Sequence, residues 1–587
     1  MRSLVVAVAL ALAVVPVALR PLPAGAIEPD APERLIAMTE AIGMSVRELV
    51  ASGAAEGMTA EERAALTAFY GVRAEPPLWI DESGLNERAR LVAAEIGRAA
   101  DWGLDPAAFK LSGPVPTAGA SRAELARAEL TLSVAVLTYA RHARGGRIPE
   151  PQKQLSSYLD RKPQLKDPGL VLEEMARSQT PDATLAGFNP QHRQFLLLRD
   201  LLARQRTGAV TETKDTVVRV PSEGPSLAQG KSHPDVAILR QRLKVAAEPG
   251  REEMFDEALT QAVKAFQKEA GLGADGVVGR GTRDALNGGR PSAAPLRESA
   301  ILANMEQWRW MPEDLGDFHI TVNVPEYMIR VMRGGDAVHT ERVIVGEIAN
   351  QTPVFSDQMQ TVVFHPFWGV PDSIKVNELL PSLARGSALE RQGLRLQYNG
   401  RDVDPRSIDW GQADIRNFHV YQPPGSSNVL GVVKFLFPNQ HQTYMHDTPT
   451  KNLFNASQRT FSHGCMRVRN PLKLAEAVMG YDRGWTMADV DDALANGPEN
   501  NNITLERKIP VHMTYFTVVA NPDGTYQTFN DVYGHEKRIT LALAGKWGQI
   551  DKGRDHLAPV QLRRPEVVAQ PGGGQPVTNI FQALFGF

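Results

Sequence analysis

Cysteine is almost absent: Cys465 is the single one in 587 residues, so no intramolecular disulfide can close and a zinc site built mainly from cysteines has too few ligands. Charge of one sign is lacking as well. The 64 Lys and Arg set against 67 Asp and Glu leave a formal net charge of -3, which argues against attraction of the whole chain to nucleic acid and leaves only a local basic patch open. Long apolar runs are missing too: the stretch from Leu4 to Leu19 is shorter than the ~20 residues that span a bilayer, and Pro16 interrupts it. With 43% hydrophobic and 22% charged residues, the composition is that of a folded soluble protein, neither disordered nor a multi-span membrane protein. At ~150 residues per domain the length predicts about four domains.

What is present begins at the N-terminus. Met1 and Arg2, the apolar stretch, and Ala24-Gly25-Ala26, with small residues where a signal peptidase must fit, predict a cleaved secretory signal at residues 1–26 and a periplasmic location. No cysteine stands at the cleavage point, which excludes a lipoprotein anchor. A lone thiol in an exported, oxidising compartment is a liability unless its chemistry is used.

After an N-terminal extension (27–55), residues 56–206 read as helical: between Leu125 and Tyr139, apolar side chains recur at three- and four-residue steps (Leu130, Val134, Leu137). Pro221, Gly224, Pro225 and Gly230 mark a linker over 207–231. Residues 232–289 carry one helical stripe (Val236, Leu239, Leu243), a second (Leu259, Val263, Phe266), a turn at Asp275-Gly276, and Thr282 placed to cap a third helix with Ala285 and Leu286. This module resembles the three-helix peptidoglycan-binding module of many wall enzymes. From Phe318 the texture changes to strands, with alternation in His319–Val324 and Met328–Met332 and a β-rich run Thr361–Phe364. A β-rich domain over 318–541 is expected, with residues 372–425 inserted as a cap over a site. Regularity fades after Ala542, and 542–587 reads as a mobile tail.

The only thiol sits in Ser462-His463-Gly464-Cys465-Met466-Arg467-Val468. A thiol becomes a strong nucleophile as thiolate, and a nearby imidazole or cation lowers its ordinary pKa of ~8.5. Two imidazoles qualify. On an extended backbone His463 faces the same side as Cys465, with Gly464 leaving room for a substrate, and His446 precedes the thiol in Tyr444-Met445-His446-Asp447-Thr448-Pro449.

The pairing of these two segments resembles the L,D-transpeptidase (YkuD-type) catalytic domain, whose pattern is a histidine, a gap of this order, then S/T-H-G-C-x-R. The segments around Val322–Val331, Phe367–Ile374 and Glu378–Pro381, with Phe69-Tyr70 and Pro77-Leu78-Trp79, resemble the subgroup that adds a helical scaffold and a peptidoglycan-binding module. The resemblance implies a multidomain α+β protein with a β-sandwich-like catalytic domain, and a connector at 290–317 returning to the scaffold. It implies Cys465 as nucleophile, His446 as general base and acid oriented by a backbone carbonyl around Asp447, and His463 with the backbone N–H groups of Gly464 and Cys465 stabilising the tetrahedral intermediate. The Asp447 side chain either orients the imidazole too or caps a turn. Arg467 either grips a substrate carboxylate or supports the loop through an internal ion pair, and Tyr444 and Trp368 either line the donor groove or are core aromatics. Asn428, with Gly431 and Lys434, is read as loop and substrate-facing; His441, outside any motif, as a hydrogen-bonding residue.

The implied reaction forms 3-3 cross-links between peptidoglycan stems, through a cysteinyl thioester and with release of D-alanine, using no cofactor and no metal. Partners are donor and acceptor stems, with cell-wall synthases as further candidates. Three alternatives stay open: a carboxypeptidase or cross-link hydrolase with the same site, a zinc peptidase using His446, His463 and Cys465, and a non-catalytic wall-binding protein.

Overall fold

The computed structural model describes residues 31–562, except 54–56, 74, 82, 112–114, 211–217, 222, 271, 288–294 and 385–388. The expected signal at 1–26 and the end of the expected tail, 563–587, lie outside the described residues. The described chain divides into two compact units, one drawn from 31–91 and 111–134 and the other from the remaining described residues. No helix among the described residues is long and apolar enough to cross a membrane.

In the first unit, the helix Ala60–Val72 starts at a capping box in which Thr59 and Glu62 satisfy each other's backbone N–H groups. Its Tyr70 hydroxyl donates to Glu129 Oε1 at 2.7 Å, and the same carboxylate accepts from the backbone N–H of Leu78 (2.6 Å) and Trp79 (2.9 Å). The two aromatic segments singled out in the sequence are therefore joined through one buried carboxylate, whose pKa burial raises.

In the second unit, three helices, Pro234–Leu243, Glu257–Glu269 and Arg280–Leu286, enclose a small core of Val236, Leu239, Phe255, Leu259, Val263 and Leu286. Thr282 does not cap the third helix. The helix begins after Gly279, and the Thr282 hydroxyl folds back to the carbonyl of Val277 at 3.2 Å. Helix Glu298–Arg309 packs through Ile301, Met305 and Trp308 on helix Arg193–Thr207.

The β-rich region is built on strands β1 (Phe318–Asn323), β2 (Met328–Arg333), β3 (Asp336–Gly346), β4 (Ser356–Phe364), β5 (Trp368–Gly369), β6 (Arg395–Tyr398), β7 (Arg401–Asp402), β8 (His419–Gln422), β9 (Val433–Leu436), β10 (Met445–His446), β11 (Thr460–Ser462), β12 (Met466–Val468) and β13 (Asn501–Thr514). Nine of them form one sheet in the order β11-β3-β12-β10-β9-β4-β13-β1-β2, and β2 pairs again with β3, so the sheet closes on itself. Alternation explains its core: Ile320, Val322, Ile329, Val331, Val343, Val345, Val362 and Val511 are all fully buried in one apolar cluster. β13, not anticipated as a strand, carries Pro510 beyond a register shift between Thr504 and Ile509, which interrupts its alternation.

The insertion is more than a helical lid. β5-β8-β6-β7 form a separate four-stranded sheet, and Trp368, Ile374, Leu379, Leu396, Trp410 and Val420 give it an apolar core of its own. The stretch expected as a tail from 542 is in fact tied down through its described part: His535–Leu543 is a helix, and His556 stacks on Tyr158 with ring centroids 3.9 Å apart.

Candidate active site

β11 and β12 lie on opposite edges of β3, one parallel to it (Thr460↔Val345) and one antiparallel (Arg467↔Ile344). The chain must therefore cross over the end of β3 between Ser462 and Met466. That crossing is the His463-Gly464-Cys465 turn. Gly464 sits at φ 112, which L side chains rarely adopt, and a Cβ there would lie 3.4 Å from the carbonyl oxygen of Gln351. The turn is bolted from both sides: Ser462 Oγ accepts from the Gly464 N–H at 3.2 Å and donates to the Cys465 carbonyl at 2.5 Å, while Thr352 Oγ1 donates to the Gly464 carbonyl at 2.8 Å.

β10 runs parallel to β12 with Met445 opposite Met466 and His446 opposite Arg467. Continuing that register places Tyr444 opposite Cys465, so His446 and Cys465 lie two positions apart on the same face of neighbouring strands. Both line a cavity of about 600 Å³, together with Trp368, Tyr444, His463 and Arg467. Cys465 is half-buried and a free thiol.

His446 is 5% exposed, and its Nδ1 lies 2.5 Å from the carbonyl oxygen of Asp447. A carbonyl can only accept, so Nδ1 carries the proton and Nε2 presents its lone pair to the cavity. Burial holds the imidazole down to about 3, assisted by the Arg467 charge. Burial likewise pushes the Cys465 thiol up to about 11, against hydrogen bonds from Tyr444 and the Arg467 charge, which act in the opposite direction. The resting pair is therefore a neutral imidazole and a neutral thiol.

The Asp447 side chain caps a turn: Oδ2 accepts from the Val432 N–H at 3.0 Å, and Oδ1 takes Lys451 Nζ at 2.5 Å. Gly431 is required beneath it, since a Cβ there would lie 2.2 Å from Oδ2. Arg467 is buried and supports the loop through neutral acceptors, Thr450 Oγ1 at 3.2 Å and the Phe461 carbonyl at 2.9 Å, while also lining the cavity. Trp368 belongs both to the cavity and to the core of the insertion.

Two expectations change. Asn428 does not face a substrate: it is fully buried, donates to the carbonyls of Pro366 and Pro423 (2.9 Å each) and accepts from the Leu430 N–H (2.8 Å). Replacing it with alanine strands these backbone groups and is expected to lower stability by about 2 kcal/mol in a denaturant titration. The Gly464 N–H is engaged by Ser462 Oγ, so it is not a free oxyanion donor in this state.

The structure also brings in residues the motifs do not contain. Glu378 reaches from the insertion to His463 Nε2 at 3.0 Å, from a π-helical turn over Lys375–Leu379. His441 is held between Asp160 (Nε2 to Oδ2, 3.1 Å) and His556 (Nδ1 to Nε2, 2.8 Å). Among the described residues, no group of three His, Cys, Asp or Glu side chains is arranged to hold a metal ion.

Comparison with known proteins fits this layout. Residues 64–202 match a scaffold domain, 232–286 a peptidoglycan binding domain, and 317–493 the L,D-transpeptidase catalytic domain of the YkuD family. A Haemophilus influenzae protein whose name places it among the L,D-transpeptidases is 34% identical over 257 residues. That match covers 43% of this chain and 51% of the relative, so the chain spans about half the length of the curated relative it matches. Among solved structures, an L,D-transpeptidase from Xylanimonas cellulosilytica aligns with 50% of this chain and 99% of its own at 16% identity and a TM-score of 0.14. A fused Zn-dependent amidase/peptidase with a peptidoglycan-binding domain from Clostridium acetobutylicum aligns with 50% of this chain and 100% of its own at 12% identity and a TM-score of 0.13.

Proposed function

We propose that this chain, which carries an L,D-transpeptidase catalytic domain of the YkuD family beside a scaffold domain and a peptidoglycan binding domain, joins peptidoglycan stems by 3-3 cross-links through a thioester on Cys465. The observation that carries the reading is the hydrogen bond from His446 Nδ1 to the Asp447 carbonyl, which leaves Nε2 as a base on the same cavity wall as the only thiol.

In the first step Nε2 takes the Cys465 proton as sulfur attacks the carbonyl of the third stem residue. The C–N bond to D-alanine then breaks, and the imidazolium returns its proton to the departing amine. In the second step an amine of a neighbouring stem forms a C–N bond as the C–S bond breaks. Because the thioester keeps the carbonyl activated, no nucleotide is consumed. Arg467 favours the thiolate through its charge, and His463, held by Glu378, sits beside the developing oxyanion. An enzyme of this kind works outside the cytoplasm, where its substrate is.

Mass spectrometry of muropeptides after incubation with purified tetrapeptide stems tests the proposal. Dimers linked between third residues, with free D-alanine, are the expected products. Tripeptides alone would make the protein a carboxypeptidase, and an unchanged substrate would refute the reading.

A further inference from the structure

We propose that the segment His556–Leu562 is a strap that forms the acceptor wall of the active-site cavity and sets the partition of the thioester between amine and water; the inference rests on the transfer reaction proposed above. The strap lies beyond the 317–493 span of the catalytic-domain match. Yet His556 to Val560 line the same cavity as Cys465 and His446.

The strap is pinned at both ends. At one end, His556 stacks on Tyr158 of the scaffold segment, with ring planes 8° apart and centroids 3.9 Å apart. Its Nδ1 lies 2.8 Å from Ser157 Oγ and its Nε2 2.8 Å from His441 Nδ1, and Asp160 fixes His441 in turn. On the side of the insertion, Arg416 donates to the Val560 carbonyl at 3.1 Å, and Val560 and Leu562 pack on the insertion's apolar core. The strap thus spans from one rim of the cavity to the other.

Its chemistry fits a wall and not a catalyst. Between the anchors the side chains are Leu557, Ala558, Pro559 and Val560, with no group that transfers a proton. An apolar wall beside a thioester excludes water and leaves the carbonyl to a nucleophile whose shape fits the groove. In the productive step the acceptor nitrogen forms the C–N bond as the C–S bond breaks; one amine proton passes to His446 Nε2 and from there to the Cys465 thiolate. When water takes the amine's place, a carboxylate forms and the acyl group is lost.

The test uses the full-length protein and two variants, Leu557→Gly, which hollows the wall, and His556→Ala, which releases an anchor. Each is incubated with disaccharide-tetrapeptide, and the ratio of cross-linked dimer to hydrolysed tripeptide is read by mass spectrometry. A fall of roughly tenfold in that ratio is expected in both variants, the scale of a misplaced reactant, while alkylation of Cys465 by iodoacetamide does not slow, showing that the site remains folded. An unchanged ratio in the two variants overturns the strap alone. Faster total turnover at an unchanged ratio also overturns it, by making the segment an inhibitory plug. Wild-type protein that yields only tripeptide overturns both the strap and the transfer reaction.

Discussion

Replacing Cys465 with alanine is expected to lower turnover of tetrapeptide stems by on the order of 10⁴-fold or more, because the variant has no atom that can carry the acyl group between donor and acceptor. The chain offers no second thiol to take over. Folding should survive the change: Cys465 is half-buried against a cavity, and the turn around it is fixed by Ser462, Thr352 and the conformation of Gly464, none of which needs the sulfur. An unchanged melting temperature with lost activity would place the whole effect on chemistry. Cys465→Ser extends the test, since a hydroxyl in the same position gives up its proton far less readily than a thiol.

Removing the base is the second large effect. His446→Asn should lower turnover by on the order of 10²–10⁴-fold. It should also change how the thiol responds to pH. Burial pushes Cys465 up to about 11, so a thiol without help should react with iodoacetamide about tenfold faster for each pH unit until it approaches that value. With His446 present, its free Nε2 accepts the proton during attack, and alkylation should proceed at neutral pH with a much shallower profile. The imidazole itself is held down to about 3 by burial, so it keeps its lone pair across the ordinary pH range and protonates only in strong acid. Superimposable profiles for wild type and His446→Asn would mean that the imidazole does not act on this sulfur.

The candidate site was legible in the sequence because its parts are close along the chain. The turn Ser462–Cys465 and the strand after it are contiguous, and one strand pairing sets His446 opposite Arg467, two positions from Cys465. The alternation in β1, β2 and β4 was equally plain. What surrounds the centre was not, because it depends on contacts between remote residues: Glu378 meets His463 across 85 residues, Thr352 meets Gly464 across 112, and Ser157 meets His556 across 399. No local pattern marks such partners. Asn428 misled for a related reason. A polar side chain in a glycine-containing loop reads as exposed, whereas tertiary structure brings the carbonyls of Pro366 and Pro423 around its amide. The segment after Ala542 misled through composition: its polar, glycine- and proline-containing stretch hides one ring, His556, whose stacking on Tyr158 and bonds to Ser157 and His441 hold the chain in place.

The most direct measurement is the intact mass of the protein during turnover. Incubated with tetrapeptide stems whose side-chain amine is acetylated, so that they can donate but not accept, the wild-type chain should gain the mass of the donor less one D-alanine, and proteolytic mapping should place that mass on Cys465. Turnover at the full rate with no adduct on Cys465, or an adduct of the same mass in Cys465→Ala, would contradict the account.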